Sequence, residues 1–265
     1  MSLRSSQLMM SKVTVITGAS SGIGAALAKQ LGQKGHQLVL AARRVDELKK
    51  VAGETGAKAI VVRADVTVRS DVERIRELAL REFGHVDVWV NNAGRGITKP
   101  VMELTDREVD EIVAVVLKSV LYGAQTIIPL FQERRQGHLI NISSFLGRVP
   151  LASYRSIYSA AKAAVNVLTA NLRMDLKTEY PGIHVSLVMP GMVDTEFHKV
   201  ASTPSFVGPG GRTGRVMIQS AKEVASQITA LIEHPVAELY TNPSSAGLVQ
   251  QYYQDVGRFE ENMTI

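Results

Sequence analysis

Tyr158 and Lys162 stand four positions apart in the run Tyr158-Ser159-Ala160-Ala161-Lys162, inside a stretch of helical periodicity. Residues at that spacing share a helix face, so the phenol and the ammonium would point into one site. A free phenol has a pKa of about 10 and is a poor base near neutrality. A neighbouring cation favours phenolate, and drawing the pKa down by about two units takes only about 2.7 kcal/mol of differential interaction. Such a group can trade a proton with a carbonyl or hydroxyl oxygen. Taken alone, the pattern is common surface decoration. What raises it is Ser143-Ser144, upstream at the end of an expected strand. A serine hydroxyl there would hold a substrate oxygen while Tyr158 exchanges its proton.

A second cluster reads Thr17-Gly18-Ala19-Ser20-Ser21-Gly22-Ile23-Gly24, between an expected strand and a helix. Gly18, Gly22 and Gly24 permit a tight turn and close approach to phosphate, and the helix N-terminus from Ile23 offers unpaired N–H groups. In this setting the loop is expected to hold a dinucleotide. Ser20 and Ser21 would add hydroxyl donors, or serve as ordinary turn residues. The second strand ends in Ala42-Arg43-Arg44 with no acid. An acid there binds the 2′-hydroxyl of NAD(H), whereas a cation suits the 2′-phosphate of NADP(H). The expectation is NADP(H), with Arg43 the main clamp and Arg44 beside it; the plain alternative is a solvated basic turn. Asp65 and Val66 follow the third strand. Asp65 either accepts from the adenine amino group while Val66 packs on the ring, or caps the next helix. Asn92, Ala93 and Gly94 either floor the cofactor ribose or form a turn. Pro190, Gly191, Val193 and Thr195 end the sixth strand, where Thr195 would bind the nicotinamide carboxamide.

The elements that must carry these residues alternate. Strands are expected at 12–17, 37–42, 58–64, 86–90, 137–142, 183–189 and 236–240. Helices are expected at 23–34, from the second strand to about 54, and at 68–83, 106–135, 154–179 and 221–233, with Pro129 kinking the long one. Alternation of this kind implies a doubly wound, mostly parallel α/β sheet, with ligands beyond the carboxyl ends of the strands. By this rule His36, His85, His138, His184 and His234 fall at the opposite, amino edge and are read as structural. His198 alone lies on the ligand edge, without evident metal partners, so no metal site is expected.

The chain has 265 residues, no cysteine and a formal charge of +5. Absence of cysteine excludes disulfides, thiolate nucleophiles and Cys-type zinc sites, and suits a reducing, cytoplasmic setting. Basic residues are dispersed apart from the brief Gly210–Arg215 loop, so nucleic-acid binding is the weak rival. No segment reads as a membrane span and the first residues lack a secretory signal. Residues 1–11 are expected to be a loose start, 12–265 a single domain, and the Gly/Pro/Ser-rich 196–217 a substrate lid.

Together, TGASSGIG at 17–24, NNAG at 91–94, Ser144, YSAAK at 158–162 and PGMVDT at 190–195 resemble the short-chain dehydrogenase/reductase family. The resemblance implies a seven-stranded sheet of Rossmann type and a Ser144, Tyr158 and Lys162 catalytic set. It implies Lys162 on the nicotinamide ribose, and a homodimer or homotetramer built through the two long helices. Two departures stand out. Val116 occupies the place where many relatives carry a water-holding Asn, which puts a proton relay in doubt. Ser144 precedes Tyr158 by fourteen positions, one more than in many members, so Ser143 is a fallback. Phe145, Leu146, Val149, Leu151, Tyr154, Phe197, Phe206 and Met217 suggest a small-to-medium apolar carbonyl or alcohol as substrate. The rival to an enzyme is an NADP(H)-binding sensor or scaffold.

Overall fold

The computed structural model describes residues 11–195, 206–208, 212–214 and 218–262. β1 (Val13–Thr17) leads into α1 (Gly22–Gln33), β2 (Gln37–Ala42) into α2 (Val45–Gly53), and β3 (Ala59–Arg63) into α3 (Arg69–Phe83). β4 (Val88–Asn91) precedes a long helical run made of α4 (Asp106–Ile112), a π-helical turn over Val113–Lys118, and α5 (Ser119–Arg134). β5 (Gly137–Ile142), α6 (Ser156–Leu176) and β6 (Ile183–Met189) follow. Four short strands come next: β7 (Met192–Asp194), β8 (Phe206–Gly208), β9 (Arg212–Gly214) and β10 (Ile218–Ser220). α7 (Ala221–Glu233), β11 (Glu238–Tyr240), α8 (Ser245–Gln254) and α9 (Val256–Glu261) complete the described chain.

The main sheet has seven parallel strands in the order β3-β2-β1-β4-β5-β6-β11. Central strands must be apolar on both faces because helices cover both. Every residue of β1 is accordingly buried. On one face Leu27 and Leu31 of α1 pack with Val224 and Ile228 of α7. On the other, Ile75 of α3 and Ile127 and Phe131 of α5 pack around Val15, Trp89 and Leu139. The strand order reverses between β1 and β4, and that crevice opens at the carboxyl edge.

Most expected elements stand within a residue or two of the spans read from the sequence. In the long helix, the departure from α geometry falls at Val113–Lys118 rather than at Pro129, which α5 accommodates. Pro129 is exposed, and so is Gln125, the residue whose carbonyl its ring deprives of a hydrogen bond. The run Asp106–Arg134 is, by length and composition alone, apolar enough to cross a membrane, contrary to expectation; half of its most apolar stretch is buried. Its packing against the sheet makes it a core helix here. The paired short strands and the last two helices are additions that the sequence did not announce. Residues 1–10 and the unassigned parts of 196–217, including His198, Phe197 and Met217, lie outside the described residues, and so does the test of a lid there.

Three of the amino-edge histidines have hydrogen-bond partners within the fold, while His184 and His234 are exposed. His36 Nδ1 meets Thr14 Oγ1 at 2.9 Å, and His85 Nδ1 lies 3.0 Å from the Phe83 carbonyl. His138 Nε2 meets Ser186 Oγ at 2.8 Å. No group of three His, Asp or Glu among the described residues could hold a metal.

Candidate active site

The glycine loop is fixed by the turn after β4. Thr17 Oγ1 donates to the Val90 carbonyl at 3.3 Å and accepts from the amides of Asn92 and Ala93 at 3.0 and 3.1 Å. Asn92 Nδ2 donates in return to the Thr17 and Gly18 carbonyls at 2.9 and 3.2 Å. Side chains would not fit between them. A Cβ on Gly18, whose φ is +66°, would stand 2.7 Å from Ala93 Cα. One on Gly24 would stand 2.5 Å from Asn92 Nδ2 and 2.6 Å from the Gly18 carbonyl. At Gly22, with φ +55°, a Cβ would come within 3.2 Å of Thr195 Cγ2. The structure therefore gathers Gly18–Gly24, Asn92–Gly94 and Thr195 at one edge.

Ser21 occupies the N-cap of α1, yet its side chain caps no backbone N–H. Its Oγ instead accepts from Arg44 Nη2 at 2.7 Å, and Ser20 Oγ lies 3.3 Å from the same nitrogen. The N-terminus of α1 is thus left without a side-chain cap, the condition in which it serves an anion. Arg43 points elsewhere: its side chain is 76% exposed and lies 4.0 Å from Asp65 Oδ2. Asp65 Oδ1 accepts from the Thr67 amide at 2.9 Å and the Thr67 hydroxyl at 2.7 Å, a local turn that serves α3. Burial pulls this carboxyl upward, but the Thr67 bonds and the Arg43 charge outweigh it and hold it below the usual range. Val66 is buried beside it.

The loop after β5 and the first turns of α6 form the second half of the site. Tyr158 and Lys162 are 7% and 4% exposed. The two serines are used differently. Ser143 Oγ lies 2.5 Å from Asn166 Oδ1 and 3.3 Å from the Lys162 carbonyl, tying β5 to α6. Ser144 is hydrogen-bonded to the Tyr158 phenol and accepts from the Leu146 amide at 3.2 Å. Of the two, Ser144 is the one that meets Tyr158. Gly147 makes the close approach possible, since a Cβ there would stand 2.8 Å from the Lys162 carbonyl carbon. Asn166 Nδ2 seals it with a 3.0 Å bond to the Gly147 carbonyl.

The electrostatics differ from the expectation. Burial pushes the Tyr158 phenol up to about 12, against the opposing effects of the Ser144 bond and the Arg155 charge. The charge that opposes burial here is that of Arg155. Lys162 Nζ donates to the Ile142 carbonyl at 2.7 Å and lies 5.8 Å from the Tyr158 ring centroid. Burial pulls the ammonium itself down to about 8. Burial cannot be read from a four-residue spacing, and here it dominates.

Two residues were missed. Arg155, 6% exposed and three positions before Tyr158, brings a second cation to the phenol. Asn166, four positions after Lys162, pins both Ser143 and Gly147. Helical spacing from the Tyr–Lys pair was the available signal for each. Val116 is wholly buried in an apolar cluster with Ile112, Val120, Tyr158 and Val165, so its side chain adds packing and no polar contact. Phe145 and Val149, expected to face substrate, are instead buried against Phe259. Pro190 accepts from the Phe145 amide at 2.9 Å, Val193 is buried, and Gly191 passes beside Asn242.

Residues 12–204 match the short chain dehydrogenase family. An uncharacterized oxidoreductase of Staphylococcus epidermidis is 37% identical over 184 residues, 69% of this chain and 79% of the relative. The solved short chain dehydrogenase/reductase of Burkholderia phymatum, in complex with NAD, superposes with a TM-score of 0.83 at 26% identity, covering 93% of this chain and 94% of that one. An alcohol dehydrogenase from the archaeon Thermococcus sibiricus, complexed with 5-hydroxy-NADP, gives a TM-score of 0.73 at 30% identity, covering 86% and 95%. The glycine cradle, the seven-stranded order and the family match together show that this chain belongs to the short-chain dehydrogenase/reductase family of oxidoreductases.

Proposed function

We propose that the protein is an NADP(H)-dependent carbonyl reductase of small, largely apolar ketones or aldehydes, working in reverse on secondary alcohols. The observation that carries this is the buried Tyr158–Ser144 hydrogen bond, with Lys162 on the same helix face. The chain's residues fit a dinucleotide, because Gly18, Gly22 and Gly24 leave a cradle that side chains would fill. Gly18–Gly24 and the α1 N-terminus would hold its pyrophosphate, Asn92–Gly94 and Lys162 the nicotinamide ribose, Asp65 and Val66 the adenine, and Pro190–Thr195 the carboxamide. Arg43 and Arg44, with no acid at the end of β2, favour the 2′-phosphate of NADP(H). The relatives above bind NAD in one case and an NADP derivative in the other.

Bound there, the coenzyme would supply or accept a hydride. In reduction Ser144 Oγ holds the carbonyl oxygen, and as the carbon gains the hydride, Tyr158 gives its proton to that oxygen. The phenolate left behind is stabilised by the Arg155 charge and the Ser144 hydroxyl until it regains a proton. Burial keeps the Tyr158 phenol protonated at neutrality, the form that can donate. The proposed assembly is a cytoplasmic homodimer or homotetramer with no nucleic-acid partner.

The test is a panel of carbonyl substrates with NADPH, followed by absorbance, against Tyr158→Phe. Turnover should fall by about 10²-fold or more in the variant. Activity that survives the change removes Tyr158 from the mechanism. The buried apolar side chain of Val116 favours one second reading, an NADP(H)-binding sensor with little turnover, and NADPH binding without reduction of any panel member would establish it.

A further inference from the structure

α8 and α9 lie beyond the family match, which ends at 204, yet they pack onto the turn that carries Ser144. Phe259 of α9 is 4% exposed and buries its ring against Phe145 and Val149, with Leu248, Val249 and Tyr252 of α8 closing round them. Tyr252 meets Phe259 edge-on, 5.4 Å between centroids. Asp255 fixes the start of α9 by accepting from the Arg258 amide at 3.0 Å. Arg148, in the same turn, is gripped twice. Its carbonyl accepts from the Tyr253 hydroxyl at 3.3 Å, and its guanidinium pairs with Glu238 of β11.

The turn is thus held from both sides. Toward the sheet, the Phe145 amide donates to the Pro190 carbonyl at 2.9 Å and Gly147 abuts the backbone of α6. Glu238 of β11 adds to the hold on the sheet side, and toward the C-terminus the hold is Phe259 and Tyr253. Ser144 begins this turn and its Oγ accepts from the Leu146 amide, so any displacement of 145–149 moves the hydroxyl that meets Tyr158.

We infer that α8 and α9 form a clasp, pinned by Phe259, that positions Ser144 against Tyr158. Phe259 is a positioning residue: it touches the turn and acts through Ser144. The inference rests on the Ser144–Tyr158 reading of the site, and it assigns a task to the segment beyond the family match.

The experiment compares the full chain with Phe259→Ala and Phe259→Leu, using hydrogen exchange at the Leu146–Val149 amides and kinetics with NADPH and the best carbonyl of the panel. The alanine variant should exchange about tenfold faster there and lose kcat by about tenfold, while KM for NADPH stays within about twofold. Leucine should restore most of both. Unchanged exchange and kcat in a folded alanine variant overturn the clasp. So does a loss of kcat accompanied by an equal rise in KM for NADPH, which marks general loosening. A wild-type chain that turns over no carbonyl defeats the reductase reading, while the exchange measurement still decides the clasp. Should Phe259→Ala fail to fold, Tyr253→Phe removes the bond to the Arg148 carbonyl and should speed exchange at Arg148–Val149; no change there overturns the proposal.

Discussion

His138 should make the fold sensitive to acid, and the size of the effect follows from one hydrogen-bond chain. Ser186 Oγ donates its only proton to the Val236 carbonyl at 2.6 Å, so it must accept from His138 Nε2. The Nδ1 of that ring is then the bare nitrogen, buried without a hydrogen-bond partner among the described residues. Protonating it would bury a cation with no acceptor. Burial above all, with the neighbouring His184 and Lys12, pulls His138 down to about 3 from 6.5. A base depressed in the folded state is protonated first in the unfolded chain, so stability is intact above about 6.5 and drains away as pH falls toward 3. Linkage over that gap gives a loss of about 2 kcal/mol between pH 7 and pH 5, and about 3 kcal/mol by pH 4. Urea unfolding of wild type and His138→Gln at these pH values isolates the contribution, because other titrating groups are common to both. Glutamine keeps a donor and does not titrate, so the variant should lose about 2 kcal/mol less over the first interval. Parallel losses in the two proteins would refute the reasoning.

Two further outcomes follow from the site and the core. Arg43→Ala and Arg44→Ala should each weaken NADPH far more than NADH in a fluorescence titration, with Arg44 also loosening Ser20 and Ser21. Equal losses for both coenzymes would defeat the phosphate-clamp proposal. Gly123→Ala should destabilise by about 1–3 kcal/mol in urea unfolding despite alanine's better helix propensity. Its Cβ would stand 2.1 Å from Asn91 Oδ1, which accepts from Trp89 Nε1 while Asn91 Nδ2 donates to Asn141. An unchanged midpoint would show that Asn91 can step aside.

What the sequence disclosed, and what it hid, divides along physical lines. The strands of the sheet core were legible because burial on both faces leaves continuous β-branched runs such as Val13–Thr17. The loop glycines were legible because close approach and positive φ restrict residue choice strongly. The division of labour between Ser143 and Ser144 was not, since it depends on which hydroxyl faces α6. The same holds for Arg43 and Arg44, whose directions differ at the end of β2. The π turn at Val113–Lys118 carries no breaker residue to announce it. α8 and α9 are short, and Phe259 gains meaning only once Phe145 and Val149 are beside it.

The interlock of Gly24 with Asn92 has an evolutionary consequence. The two positions are distant in the chain, yet neither can gain bulk or lose its amide while the other stays as it is. Drift at one should therefore be answered at the other, and a lineage that abandoned dinucleotides would be expected to release both together. A crevice already stitched shut at its base also arrives preformed, so an incoming nucleotide meets a rigid mould and association should be quick, with little of its binding energy diverted into ordering the loop.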